Sequence, residues 1–333
     1  MVRVGRKFVG MGGPCFIIAE AGINHNGDLE LAKELVRQAA KSGADAVKFQ
    51  IFHAERLVEE GTPEFEMFKK YELPDDAWKE LSLLAEREGI IFMATPFDLE
   101  AVKIMEEIGA SAYKIASGDI TNFELISSVA RKWKPVFLST GGANLAEIKA
   151  AIDCIYGEEN ERIVLLHCVS CYPAPLEDLN LKAIDDLWER FYLPVGFSDH
   201  SVGIEAALVA VSMGAVAIEK HFTLDKTLPG PDHVHSLTPQ ELAEMVSRIR
   251  RIEKMFGSGR KEPLPCEAEV RVKGRRGVKA AVNIPKGTVI DRSMLSLVRP
   301  KRTIGAESLK DVLGKRAKRN ILKGEDLRWE DLA

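Results

Sequence analysis

A (β/α)₈ TIM barrel followed by a small, mostly β module is the fold class that this sequence predicts. Three observations carry it. Short apolar runs of β character alternate with helical segments eight times in about 240 residues, the rhythm of a closed parallel barrel. Polar residues collect at the ends of those runs, where such barrels keep their sites. Residues 277–333 then abandon the alternation and repeat a short pattern of their own. No GxGxxG follows a strand, which argues against an open dinucleotide-binding sheet.

The first strand is residues 16–22, FIIAEAG. Asp28 opens a helix to about Ser42, with Leu29, Leu31, Ala32, Leu35, Val36 and Ala39 on its apolar side, and Gly43 stops it. The second strand is 46–52. A longer excursion follows, punctuated by Pro63 and Pro74, with a helix near 75–87. The third strand, 90–97, leads to a helix ending at Ile108; the fourth, 112–118, to a helix near 123–132. The fifth, 135–141, leads to a helix near 145–156, and the sixth, 163–169, to one beginning near Leu181. The seventh and eighth, 194–200 and 215–223, flank a helix-length segment and form a βαβ unit. The last helix runs from about Pro239 to Phe256, with Thr238 as its N-cap.

The barrel domain is thus expected over 1–256 and a linker over 257–276, rich in glycine, proline and mixed charge without a helical stripe. In 277–333, residues 283–295 align without a gap on 320–332, each opening N-I-x-K-G. A repeated Lys-Gly turn between short extended pieces predicts a small β module, short of core on its own.

The chain has 333 residues, a net charge of −4 and a hydrophobic content of 46%. No basic face is implied, so nucleic acid is not an expected partner. The run from Cys15 to Ala19 is too short for a signal peptide or a membrane span, so no membrane partner is expected. Five scattered cysteines fit a reducing, cytoplasmic setting. The single Cys168-x-x-Cys171 lacks a second pair for zinc, and its first cysteine lies inside a strand.

Strand ends locate the chemistry. They offer Glu20; Lys48 and Gln50, on one face of their strand; Thr95; Lys114 and Ser117; Ser139 and Thr140; His167, Ser170 and Tyr172; and Ser198, Asp199, His200, Glu219 and His221. All seven histidines lie near a strand's end or in the loop after it, a bias that favours a site. His200 and His221 end neighbouring parallel strands. With Asp199, Glu219 and Asp232 nearby they have the chemistry to hold a divalent metal; the alternative is a pair of hydrogen-bonded structural histidines. Two lysines in a barrel mouth need anions. One reading pairs them with Glu20 or Asp119, another gives them a phosphate or carboxylate substrate with the rim hydroxyls as donors, and a third makes one a Schiff-base lysine. Taken together, the rim suits a phosphorylated carboxylate beside a metal-polarised carbonyl.

The motifs AEAGINHNGD (19–28), VKFQ (47–50), ATPFD (94–98), YKIASGD (113–119), STGG (139–142), HCVSCYPAP (167–175), GFSDHSVG (196–203), EKHFT (219–223) and GPDHVHSL (230–237) resemble the sialic acid synthase family. The final module resembles its antifreeze-like (SAF, β-clip) domain. The resemblance spans nearly the whole chain, in order. It implies a transferase of the N-acetylneuraminate synthase type. Such an enzyme joins phosphoenolpyruvate to an N-acetylhexosamine, first of all N-acetylmannosamine, with water, giving a nonulosonic acid and phosphate by C–O cleavage. A divalent metal, Mn²⁺ or Mg²⁺, would polarise the open-chain aldehyde.

By the same resemblance Lys48, Thr95, Lys114, Ser117, Ser139, Ser170 and Ser198 would hold phosphoenolpyruvate. His200 and His221 would bind the metal and Glu20 would meet the sugar; the chemistry further suits Glu20 to stabilise the C2 cation or handle the water's proton. Gln50, Asp119, Tyr172, Asp232 and Arg299 would meet the sugar. A domain-swapped homodimer is implied, the module lidding its partner's barrel. His233 and His235 would be sugar-proximal or structural. Two departures bear on the acceptor. Ser170 stands where the family often has asparagine, and Asp119 where glutamate is common. Related acceptors therefore stay open: the 6-phosphate of N-acetylmannosamine, or the legionaminic or pseudaminic acid precursor sugar. Two other function classes compete, a Schiff-base aldolase and a carbohydrate- or ice-binding protein; the last leaves the Lys, Ser and His rim unexplained.

Overall fold

Eight parallel strands close on themselves: β3 (Phe16–Gly22), β4 (Ala46–Ile51), β5 (Ile91–Pro96), β6 (Tyr113–Ile115), β7 (Val136–Ser139), β8 (Ile163–Cys168), β9 (Val195–Asp199) and β10 (Ala217–His221), which returns to β3. The computed structural model describes all residues, 1–333, in two units, Met1–Gly257 and Ser258–Ala333. The barrel lies in the first. Ahead of it, β1 (Val2–Val4) and β2 (Lys7–Val9) form an antiparallel hairpin that the sequence pattern did not announce. Its Val2, Val4 and Val9 pack with Phe16, Ile18, Ile91, Met93 and Phe137, the inward-facing side chains at the N-terminal ends of the strands. Strand alternation explains why that end is apolar and the other polar. Two residues beyond each apolar position comes Glu20 after Ile18, Thr95 after Met93 and Ser139 after Phe137.

The other face of each strand meets the helices. Val47, Phe49 and Ile51 of β4 join Leu35 and Val36 of helix Leu29–Lys41 and Trp78 and Leu81 of helix Asp75–Glu88 in the main core. The Asp28 carboxylate caps the first of these helices, as its position predicts. Thr238 caps the last, Pro239–Phe256, in a capping box with Glu241.

Three stretches differ from expectation. In the excursion after β4, Pro63 does not punctuate but starts a helix, Pro63–Tyr71: proline suits a first helical turn, and the Thr62 hydroxyl accepts from Phe65 N at 3.2 Å. The fourth strand is only three residues long, because Ser117–Asp119 turns into a 3₁₀ helix. The expected linker 257–276 contains a helix, Ala268–Gly274, steadied by the i,i+4 pair Lys273–Glu269 at 2.6 Å, which short-range charge supplies without an apolar stripe.

In the second unit β11 (Gly277–Ala280) pairs antiparallel with β12 (Leu295–Val298). The sequence echo is a structural pair. Ile284 and Ile321 bridge antiparallel, the Asn283 side chain accepts from Lys323 N at 2.8 Å, and the Asn320 side chain accepts from Lys286 N at 2.7 Å. Both Lys-Gly turns place glycine at positive φ, 87° at Gly287 and 88° at Gly324. A separate core of Val278, Ile284, Ile290, Leu295, Ile321 and Leu327 completes the unit.

Candidate active site at the barrel mouth

Register assembles the site. His221 is the Cα partner of Glu20, Glu20 of Lys48, and Glu219 of Ser198. Three consecutive strands, β10, β3 and β4, thus set an imidazole, a carboxylate and an ammonium side by side. The cavity above them holds about 280 Å³. Of the residues expected in the site, Glu20, Lys48, Gln50, Thr95, Lys114, Ser117, Ser139, Ser170, Tyr172, Ser198, His200 and His221 line it.

At its floor is a buried charge network. Lys48 Nζ lies 2.7 Å from Glu20 Oε2 and 3.7 Å from Glu219 Oε2, and donates to Thr95 Oγ1 at 3.0 Å. Lys114 Nζ lies 2.9 Å from Glu219 Oε1, which also accepts from Ser198 Oγ at 2.9 Å. Gln50 Nε2 reaches Glu20 Oε1 at 3.3 Å. Glu219 therefore joins both lysines, a role the sequence reading left unassigned. The signal was present: Glu219 and His221 are two apart, on one face of β10.

The two carboxyls are driven apart. Burial raises Glu20, and the charge of Glu219 adds to this against the pull of Lys48. Burial alone would raise Glu219 too, but Lys114 and Lys48 together bring it down to about 2. One carboxyl is suited to hold a proton, the other to stay ionised. The hydroxyls are unevenly committed. Ser139 Oγ is buried without a partner, whereas Ser117 Oγ lies 3.0 Å from Cys168 Sγ and accepts from Gly141 N at 3.1 Å. All five cysteines are free thiols.

The imidazoles sort into two groups. His25 packs between Phe49 and Trp78 and accepts from Gly27 N; His53 bridges Asp98 and Asp75; His167 donates to Leu179 O at 2.8 Å. His233 is held by Thr223 Oγ1 at 2.6 Å and Asn26 Oδ1 at 3.2 Å. These four are structural, so the clustering of histidines at strand ends overstated the site. His200, His221 and His235 remain. His200 Nδ1 donates to Val169 O at 2.8 Å, and its ring lies 5.5 Å from that of His221. His221, Asp232 and His235 each offer a donor atom within 4.8 Å of the others. Burial holds His200 below its ordinary value, His221 well below it and His235 down to about 4, so all three are neutral, the form that ligates metal. The Tyr172 ring stands 4.3 Å from His200 and 5.7 Å from His235.

Two carboxylates expected to serve the metal pair are engaged by lysines. Asp199 points outward from β9 and pairs with Lys220 at 2.9 Å. Glu219 is taken by the lysines. Asp119 accepts from Asn122 at 3.2 Å and pairs with neither lysine. Asp232 Oδ2 lies 3.5 Å from His221 Nδ1, beyond the cavity lining, and burial raises its carboxyl to about 6. Arg299 follows β12 in the second unit.

Residues 35–261 match the NeuB family, and residues 275–333 match the SAF domain. The chain is 44% identical to the N,N'-diacetyllegionaminic acid synthase of Legionella pneumophila, covering 96% of this chain and 94% of that one. It is 38% identical to the human N-acetylneuraminate-9-phosphate synthase, covering 87% and 85%. Among solved structures, the N-acetylneuraminic acid (sialic acid) synthetase of Leptospira borgpetersenii, determined with citrate, superposes with a TM-score of 0.77 at 41% identity, covering 80% of this chain and 94% of that one. With the eight-stranded barrel and the second unit's twinned turns, these matches place the chain in the NeuB family of sialic acid synthases, with a C-terminal SAF domain.

Proposed function

We propose that the chain is a nonulosonic acid synthase. It condenses phosphoenolpyruvate with a 2-acetamido hexose and water, giving a nine-carbon 2-keto acid and phosphate. The observation that carries this reading is the joining of Lys48, Lys114, Glu20 and Glu219 beneath neutral imidazoles in one cavity. Lys48, Lys114, Thr95, Ser139 and Ser198 supply donors for a phosphate and a carboxylate.

The donor set fits a divalent cation, because His221 Nδ1 is buried with no hydrogen-bond partner beside the neutral imidazole of His200. His200 and His221 would hold the ion, Mn²⁺ or Mg²⁺, which supplies Lewis-acid polarisation of the sugar aldehyde. The chain's own groups do the rest. The lysines orient phosphoenolpyruvate so that its C3 meets the aldehyde carbon. Water adds at C2, and Glu20 takes a proton from it. Glu20 passes that proton to the alkoxide oxygen that the aldehyde became, and the water's second proton leaves with phosphate as the C2–O bond breaks. Glu219 stays ionised and keeps both lysines in place.

The acceptor is a 2-acetamido hexose. The 44% identity to a diacetyllegionaminic acid synthase favours one bearing a second acetamido group over N-acetylmannosamine or its 6-phosphate. The test is phosphate release from phosphoenolpyruvate with each of these sugars, before and after EDTA. Release that needs both a sugar and added Mn²⁺ is expected. Release with all metal stripped overturns the metal claim, and a borohydride-trapped pyruvate adduct on Lys48 or Lys114 overturns the mechanism in favour of an aldolase.

A further inference from the structure

The loop after β10 carries an imidazole that the site above leaves unused. His235 is 4% exposed, and its Nε2 has no hydrogen-bond partner. A buried polar nitrogen without a partner is costly unless something fills the place. His221, whose Nδ1 is equally unpartnered, and the Asp232 carboxylate stand beside it, and the three residues each offer a donor atom within 4.8 Å of the others. The rings of His221 and His235 are 5.1 Å apart.

We infer that His235, with Asp232, completes the cation site around His221, so that this chain holds its metal with a third imidazole besides His200 and His221. The inference rests on the metal-dependent reading proposed above.

The loop backbone that carries those two residues is tied down. Leu237 N donates to His221 O at 2.8 Å, and Thr223 N to Leu237 O at 2.9 Å, so the loop's end runs beside the end of β10. Ser236 Oγ donates to Asp232 O at 2.5 Å and accepts from Asn24 Nδ2, which also donates to Phe222 O at 2.9 Å. The neighbouring His233 shows the contrast. Both its ring nitrogens are engaged, by Thr223 and Asn26, and it serves as the anchor that leaves His235 free to ligate. Ligands held in place before the ion arrives reduce the ordering that binding requires. Three imidazoles and one carboxylate oxygen also set the choice of ion: a nitrogen-rich set prefers a first-row transition cation to Mg²⁺.

The test uses the full chain, stripped by chelation and titrated with Mn²⁺ under EPR, with Mg²⁺ as competitor. Losing even an outer-shell partner of a metal site costs about 10–100-fold in affinity, so removing a direct ligand by His235→Ala is expected to weaken Mn²⁺ by at least about tenfold and to narrow the preference over Mg²⁺. Electron spin-echo modulation on the wild-type Mn²⁺ complex should register three coupled imidazoles, a reading that does not depend on any variant folding. Two imidazoles in the wild type, or unchanged Mn²⁺ affinity in a folded H235A protein, overturns the inference and leaves the proposed activity standing. A wild-type chain that binds no divalent cation overturns the metal reading itself.

Discussion

Lys220 Nζ and Asp199 Oδ2 form a 2.9 Å ion pair in which neither side chain reaches solvent. The two are register partners on adjacent strands. Lys220 also donates to Ser201 O, and Asp199 Oδ1 accepts from the backbone and hydroxyl of Ser201. On the opposite face of the same strands sit Ser198, His200, Glu219 and His221. The pair braces from outside the two strands that present the imidazoles inside. Removing one partner of a buried pair strands the other's charge, so Lys220→Met is expected to lower stability by about 3–5 kcal/mol. Adding Asp199→Leu should recover part of that loss. Guanidinium unfolding of the single and double variants checks it, and equal losses would contradict the pairing.

Glu20→Gln keeps the shape of the side chain and removes the proton carrier. A loss of about 10²–10⁴ in kcat, with little change in KM for phosphoenolpyruvate, is expected from steady-state phosphate release. Lys114→Met should instead raise the KM for phosphoenolpyruvate, because it removes a donor.

Gly196 of β9 packs against Ala217 of β10. A Cβ there would stand 2.6 Å from Ala217 O and 2.8 Å from Leu166 Cδ2. Strand backbone cannot yield as a flexible side chain does. Gly196→Ala should therefore cost about 1–3 kcal/mol by overpacking and loosen Mn²⁺ binding, since the displaced strands carry His200 and His221. Thermal unfolding and EPR titration read the two effects.

Burial lowers His25 from 6.5 to about 4. Its folded-state value lies below its unfolded one, so the neutral ring adds stability that is complete above pH 6.5 and lost as pH falls toward 4. The amount is on the order of 3 kcal/mol. Stability measured by denaturant between pH 7 and 4 should fall, and His25→Phe should flatten part of that slope.

The homodimer and the sugar role of Arg299 are proposals that one mixing experiment tests. Lys48→Met and Arg299→Ala should each be inactive alone. If the SAF unit serves a partner's barrel, mixing the two unfolded proteins and refolding them together restores activity; continued inactivity would contradict the exchange.

From the sequence alone the barrel was legible, as were most of the residues that line the cavity at its mouth. Strand alternation has a period of two, so apolar Ile18 and Met93 dictate that Glu20 and Thr95 face the same interior, and parallel strands bring their ends together. The N-I-x-K-G echo likewise announced the second unit's twin turns. Which groups pair was settled by the folded chain. Lys48 and Lys114 share Glu219, Asp199 leaves the mouth for Lys220, and four histidines turn to structural bonds while His235 turns toward His221. Those outcomes depend on register across strands far apart in the chain and on which loop folds back over the mouth. Local periodicity records which face a side chain takes, but carries no distance to its neighbour on another strand.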